Sequence, residues 1–198
     1  MKFLIDGDDD AKRTFIFAHG AGGPMRTPWM SRVARGLAEN GIRVVRFEFP
    51  YMAAKKKAPD REPVLLEAWR EAIREQGDRV TFIGGKSMGG RIATMVADEM
   101  EVRGVVCFGY PFHPPGNAER LRTKHLETMK TPTLILQGER DAFGSRDEVK
   151  RYKLSRAIRI EFIEDGDHSL KPRASSGATE TDNLARAVAI ATKFIEST

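Results

Sequence analysis

The chain is poor in the residues that staple folds, ligate metals or cross membranes. Its 198 residues include one cysteine, Cys107, and four histidines. A single thiol has no partner for an intramolecular disulfide, so the disulfide-scaffold class is excluded and a reducing compartment suits the chain. With neither a cysteine cluster nor paired histidines at helical spacing, a zinc site is not expected, and no cofactor motif is present. No apolar run approaches the roughly 20 residues of a membrane-spanning helix. Charge of one sign is never blocked: 33 Lys and Arg are mixed among 28 Asp and Glu, for a net charge of +5. The densest basic run, Lys55–Lys57, reads as a solvated loop, so neither nucleic acid nor a membrane surface is an expected partner. Met1–Asp6 lacks the basic and apolar regions of a secretory leader and runs into Asp8–Asp10, which makes a cytoplasmic protein the expectation.

What is present is an ordinary globular composition, 40% hydrophobic and 31% charged, with no repeat and no composition break, so one domain over residues 1–198 is expected. Apolar, β-rich runs occur at Thr14–Ala18, Ile42–Phe47, Arg79–Ile83, Gly104–Phe108, Thr133–Leu136 and Ile158–Ile163, with Phe3–Ile5 as a short edge candidate. Most are nearly continuous, as strands covered on both faces are. Between several of them apolar residues recur at three- and four-residue spacing: Trp29, Val33 and Leu37; Leu65, Trp69 and Ile73; Ile92, Val96 and Met100; and, after the last strand, Leu184, Val188 and Ile195. Thr27-Pro28 marks a helix start, and Gly41 and Gly77 mark helix stops. Strands alternating with helices predict a parallel sheet built from βαβ units. Tyr51–Glu62, Pro111–Ala118 and Lys171–Ala178 read as loops.

Chemistry concentrates at Gly85-Lys86-Ser87-Met88-Gly89, which follows a strand and opens a helix. A serine at such a turn takes a strained conformation that holds its hydroxyl above the sheet edge, and the flanking glycines leave room for strand and helix to pack. The bare pattern is weak, and its strand-and-helix context carries the reading; a glycine-rich turn without catalysis is the alternative. Gly85-Lys86-Ser87 also matches the end of a phosphate-binding loop, but that loop needs a glycine at position 80, where the chain has Val80. A second small-residue segment, His19-Gly20-Ala21-Gly22-Gly23, follows the first long strand. The amides of Ala21 and Met88 are candidate oxyanion donors, with His19 fixing the loop; a plain glycine-rich turn is the other reading.

A serine hydroxyl needs a base, and the base needs a group that fixes its tautomer. His168, in the loop after the last strand, is the favoured base; His113 is placed beside the pocket, and His125, read as part of a helical segment, is assigned a structural role. Asp141, after the next-to-last strand, is the acid candidate and is preferred to Glu139 because it sits deeper in its loop. The chain order Ser, Asp, His suits this arrangement. Aromatics in Tyr110-Pro111-Phe112-His113, Trp29-Met30, Tyr51-Met52 and at Phe143 are candidates to line an acyl pocket, or are ordinary loop residues.

Taken together, these motifs make the chain resemble the α/β-hydrolase superfamily over Phe15 to Ile195, in particular small lidless members similar to dienelactone-hydrolase-like and esterase-like proteins. The resemblance implies a three-layer α/β/α sandwich around a mostly parallel sheet of six to seven strands, with no cap domain. It implies a serine hydrolase acting on a carboxylic ester or thioester through an acyl-enzyme intermediate, with a small-molecule acyl substrate and no cofactor. True dienelactone hydrolases carry cysteine where this chain has Ser87, and Cys107 falls inside a strand, where it reads as core. The competing reading is a non-catalytic interaction domain of the same fold.

Overall fold

The computed structural model describes residues 1–77, 79 and 81–198. Among these residues seven strands form one sheet: β1 (Phe3–Asp6), β2 (Arg13–Ala18), β3 (Ile42–Phe47), β4 (Thr81–Lys86), β5 (Gly104–Phe108), β6 (Thr133–Gly138) and β7 (Ile158–Ile163). Their order is β1-β3-β2-β4-β5-β6-β7, with β1 antiparallel on β3 and every other pairing parallel. Six α-helices of the described residues accompany them: α1 (Pro28–Ala38), α2 (Pro50–Ala53), α3 (Glu62–Arg74), α4 (Met88–Val96), α5 (Arg146–Val149) and α6 (Glu180–Ser197).

Successive side chains of a strand point to opposite faces, and β2 shows how this makes three layers. Phe15 and Phe17 enter a core with Leu37 of α1 and Leu184 of α6, whereas Ile16 and Ala18 enter one with Trp69 of α3 and Ile92 of α4. Both faces are covered, as the continuous apolar runs imply. At the start of α1 the Thr27 hydroxyl accepts the Met30 N–H at 3.3 Å and Pro28 takes the first position. Gly41 and Gly77 lie just beyond α1 and α3 at φ of 76° and 60°, where a side chain would be strained. Among the described residues no separate cap domain stands over the sheet, and no helix is long and apolar enough to cross a membrane.

Four expectations need correction. The strand expected over Arg79–Ile83 begins at Thr81 and runs on to Lys86; its Val80 lies outside the described residues. Gly84 and Gly85 hide the strand's end because they carry no apolar side chain, yet they are needed there: a Cβ on Gly84 would overlap the Val106 carbonyl of β5. The third apolar stripe overshoots, since α4 ends at Val96 and Met100 belongs to a following turn. His125, expected in a helical segment, lies in a 3₁₀ turn at Lys124–Glu127, and among the described residues no α-helix joins β5 to β6. The expected loop Tyr51–Glu62 also includes most of α2 and the first residue of α3.

Strand β3 holds two buried arginines in its apolar run. Arg46 donates to both carboxylate oxygens of Asp6 at 2.9 and 3.0 Å and to the Met25 carbonyl, and Arg43 meets Asp9 and Gln76. Part of the acidic N-terminal segment thus neutralises charge at the sheet's edge.

Candidate active site

Parallel strands that share a direction deliver their C-terminal loops to one edge of the sheet, the usual place for a ligand in such folds. The loops after β2, β4, β6 and β7 meet there, and they carry the Ala21, Ser87, Asp141 and His168 singled out from the sequence.

Ser87 sits between β4 and α4 at φ 51° and ψ −117°, a left-handed conformation that costs a residue with a Cβ of order 1–3 kcal/mol. The surroundings impose it. The Ser87 N–H donates to the Phe108 carbonyl of β5 at 3.0 Å, and its own carbonyl accepts the Arg91 N–H of α4, also at 3.0 Å. Gly89 lets α4 pass against β2, since a Cβ there would stand 2.6 Å from the His19 carbonyl oxygen.

The half-buried Ser87 hydroxyl donates to Nε2 of His168 at 2.8 Å, and Nδ1–H of His168 donates to Oδ2 of Asp141 at 2.8 Å. Asp141 has no solvent exposure. Its Oδ1 accepts the Phe143 N–H, and the Phe143 ring stacks on the imidazole with centroids 4.1 Å apart. A hydroxyl, an imidazole and a buried carboxylate in this chain are arranged to move a proton from oxygen to nitrogen. Glu139 is engaged elsewhere: it accepts the Asp165 N–H and pairs with Arg146, and these two contacts hold its carboxyl below the ordinary range.

Two positioning groups were not singled out from the sequence. Gln137, buried in β6, points its Nε2 at Asp141 Oδ2 (2.9 Å), the Gly144 carbonyl (3.0 Å) and the Tyr110 carbonyl (3.2 Å), while its Oε1 accepts the Tyr110 N–H at 2.8 Å. Lys86, the residue before Ser87, donates to the Ser169 hydroxyl at 2.9 Å and to the His168 carbonyl at 3.2 Å, with its Nζ 4.5 Å from the Trp29 ring centroid. Burial pushes its ammonium down to about 8, against the opposing pull of Asp141, Asp167 and Glu180. Trp29 completes the support by donating its indole N–H to the Ser169 carbonyl at 2.9 Å. The contacts of Lys86 and Trp29 join residues far apart in sequence, and Gln137 meets Asp141 four residues on only because the chain turns back after β6, so no regular spacing announces them.

His19 is fully buried, and both of its ring nitrogens are in use. Nε2 accepts the Phe49 N–H at 3.1 Å, so Nδ1 carries the proton and donates to the Gly20 carbonyl at 2.7 Å. Burial lowers its pKa and keeps the ring neutral. In a trans peptide the carbonyl and the next N–H point in opposite directions; holding Gly20 C=O therefore also orients the Ala21 N–H. The Met88 N–H is the first of α4 and has no partner within the helix.

A cleft of about 830 Å³ opens over Ser87, bordered by Trp29, Met30, Pro111 and Phe143. Tyr51, Tyr110, Phe112 and His113, also expected near it, are instead buried in the body of the protein; adjacency in sequence did not reveal which way they face. His125 meets the Thr94 hydroxyl at 2.9 Å. Cys107 is buried, and loss of water raises its thiol pKa far above the ordinary range. A smaller hollow of about 680 Å³ lies near Arg13, Thr81 and Arg103, at the N-terminal ends of the strands and away from Ser87. Among the described residues no group of three or more His, Cys, Asp or Glu is placed to hold a metal.

Solved structures share this architecture. An α/β serine hydrolase homologue from Coxiella burnetii is 19% identical, with a TM-score of 0.76 over 96% of this chain and 89% of that one. A serine hydrolase without lid from Xanthomonas campestris is 22% identical (TM-score 0.73, 96% and 87% covered). Dienelactone hydrolase from Anabaena variabilis is 20% identical (TM-score 0.73, 98% and 90% covered). At these identities the likeness is one of fold. The family model described as "Alpha/beta hydrolase domain" matches residues 11–196, from the loop before β2 to the last turn of α6, and with that span the chain belongs to the α/β-hydrolase family.

Proposed function

We propose that the protein is a serine hydrolase that cleaves carboxylic esters or thioesters through an acyl-enzyme intermediate. The observation that carries this reading is the unbroken hydrogen-bonded chain Ser87–His168–Asp141, with its serine in a strained turn beneath an open cleft. Ser87 Oγ attacks the acyl carbonyl while His168 Nε2 takes its proton. Asp141 stabilises the imidazolium that forms, and the Ala21 and Met88 amides hold the oxyanion. His168 then returns the proton to the leaving alcohol or thiol. In the second half-reaction water attacks the acyl-Ser87 ester with His168 again as base, releasing the acid and restoring the hydroxyl. A scaffold domain would gain nothing from keeping a serine at φ 51° in line with a buried histidine–aspartate pair.

The test is labelling with a fluorophosphonate and hydrolysis of p-nitrophenyl butyrate. Wild type should label and turn over; Ser87→Ala should not label and should lose roughly 10⁴-fold or more in kcat. Equal labelling of the two proteins would remove Ser87 from the mechanism.

A further inference from the structure

The cleft is bordered by four cations, Lys86, Arg91, Arg122 and Lys171; Lys171 is exposed to water, and of the three half-buried ones a single side chain has neither a hydrogen bond nor an ion pair among the described residues. Lys86 is spent on Ser169 and the His168 carbonyl, and Arg91 donates to Glu62 at 3.1 Å. Asp167, an acid of the same wall, accepts the backbone N–H groups of Ser169 and Lys171. Arg122 differs. Its main chain is pinned on both sides, its N–H donating to the Phe112 carbonyl at 2.7 Å and its carbonyl accepting the Tyr110 hydroxyl at 2.9 Å. The residue lines the cleft half-buried, and its guanidinium makes no hydrogen bond or ion pair among the described residues. The charges nearest to it are largely like in sign: burial, then Arg91 and Arg120, lower its pKa, and only the Tyr110 hydroxyl opposes them.

A partly desolvated guanidinium without an acceptor is unfavourable unless an anion completes it, and its planar fork of donors fits a two-oxygen anion. Arg91 lies one helical turn after Ser87 on α4 and adds a second positive charge on this side of the cleft. Resting on the serine-hydrolase reading, we propose that the substrate is an ester carrying a carboxylate a few bonds from the scissile carbonyl, and that Arg122 receives that carboxylate. One negative charge suits the site, because Arg91 already shares Glu62, Lys171 stays in water, and Arg122 is the half-buried cation left over. Arg122 is then a specificity residue: it places the ester over Ser87 and favours acidic substrates over neutral ones.

The experiment compares kcat/KM for the monoethyl and diethyl esters of succinate, glutarate and adipate. A charge-assisted pair at a half-buried site should favour the best monoethyl ester over its diethyl counterpart by about tenfold or more in wild type. In Arg122→Gln that ratio should fall by about tenfold. Arg122→Lys, with charge but no fork, should keep only part of it. A wild-type ratio at or below one for all three acids, or a ratio unchanged in Arg122→Gln, overturns the proposal. A readout that needs no variant is inhibition of diethyl ester hydrolysis. Free adipate should inhibit at a concentration about tenfold lower than neutral 1,6-hexanediol, and equal inhibition counts against the carboxylate site. Hydrolysis of diethyl esters alone, with Ser87 labelled by fluorophosphonate, removes the carboxylate and leaves the serine hydrolase. No hydrolysis and no labelling removes both.

Discussion

Nε2 of Gln137 lies 2.9 Å from Oδ2 of Asp141, the same oxygen that accepts the proton of His168 Nδ1. The amide therefore shares in fixing the carboxylate that fixes the imidazole. Its other contacts tie β6 to Tyr110 and Gly144, so one buried side chain joins two loops of the site. Gln137→Leu strands the Tyr110 N–H and one contact of Asp141, and should cost about 1–3 kcal/mol in a urea melt. Gln137→Glu replaces a donor with an acceptor facing Asp141. It should lower kcat on p-nitrophenyl butyrate by about tenfold or more with a smaller change in KM; an unchanged kcat would show that Asp141 is held without it.

The His19 ring gives a second test. His19→Phe keeps much of the volume but loses the hold on the Gly20 carbonyl and on the Phe49 N–H. Leaving those groups without partners should cost about 1–3 kcal/mol of stability. Misorienting the Ala21 amide should lower kcat by roughly 10- to 100-fold, below the full loss of an oxyanion donor. Steady-state kinetics alongside a thermal melt separates the two effects.

Lys86 predicts a slope of stability against pH. Folding lowers its pKa from 10.5 to about 8. Between those values the unfolded chain binds a proton that the native chain has released, so stability contributed at this residue rises with pH across that window. Below about 8 the charged, buried ammonium weighs fully against the fold. Urea melts of wild type and Lys86→Met at intervals from pH 7.5 to 9.5 should show wild type gaining on the variant as pH increases. Parallel curves would mean that Lys86 titrates normally.

Glycine substitutions should divide sharply. Gly89→Ala sets a Cβ 2.6 Å from the His19 carbonyl oxygen and 2.7 Å from that of Ala18, both backbone atoms. A loss of about 3 kcal/mol or more, or no soluble protein, is expected. Gly22→Ala meets nothing within 4 Å and should change stability by no more than about 0.5 kcal/mol.

Arg46→Met removes one member of a buried pair and leaves Asp6, only 16% exposed in its side chain, without its guanidinium. About 3 kcal/mol of stability should be lost, and replacing both partners with apolar residues should recover much of it. Calorimetric melts of the single and double variants check this.

The sheet was legible because its strands are apolar runs bounded by polar turns: Ile42–Phe47, Gly104–Phe108 and Ile158–Ile163 have the ends read from sequence. The end of β4 was not, because glycine signals a turn and a close approach alike, and at Gly84 the close approach of β5 decides. Ser87, Asp141 and His168 were legible since each follows a strand at one sheet edge, and the fold brings such positions together. Gln137 and Arg46 were not, because their partners lie across strands or loops. The pocket aromatics divided by orientation: Trp29 and Phe143 face the cleft, whereas Tyr51 and Phe112 turn into the core.

Cys107 packs its sulfur against α4 where Gly90 leaves space, sealed from water within β5. Its thiol is raised in pKa and out of reach of reagents in the folded state. The native protein is therefore silent to maleimides, and a cysteine introduced on the cleft rim would be the single site of attachment for a fluorophore or spin label. The same thiol becomes reactive when the sheet opens, which makes its modification rate a built-in clock for unfolding.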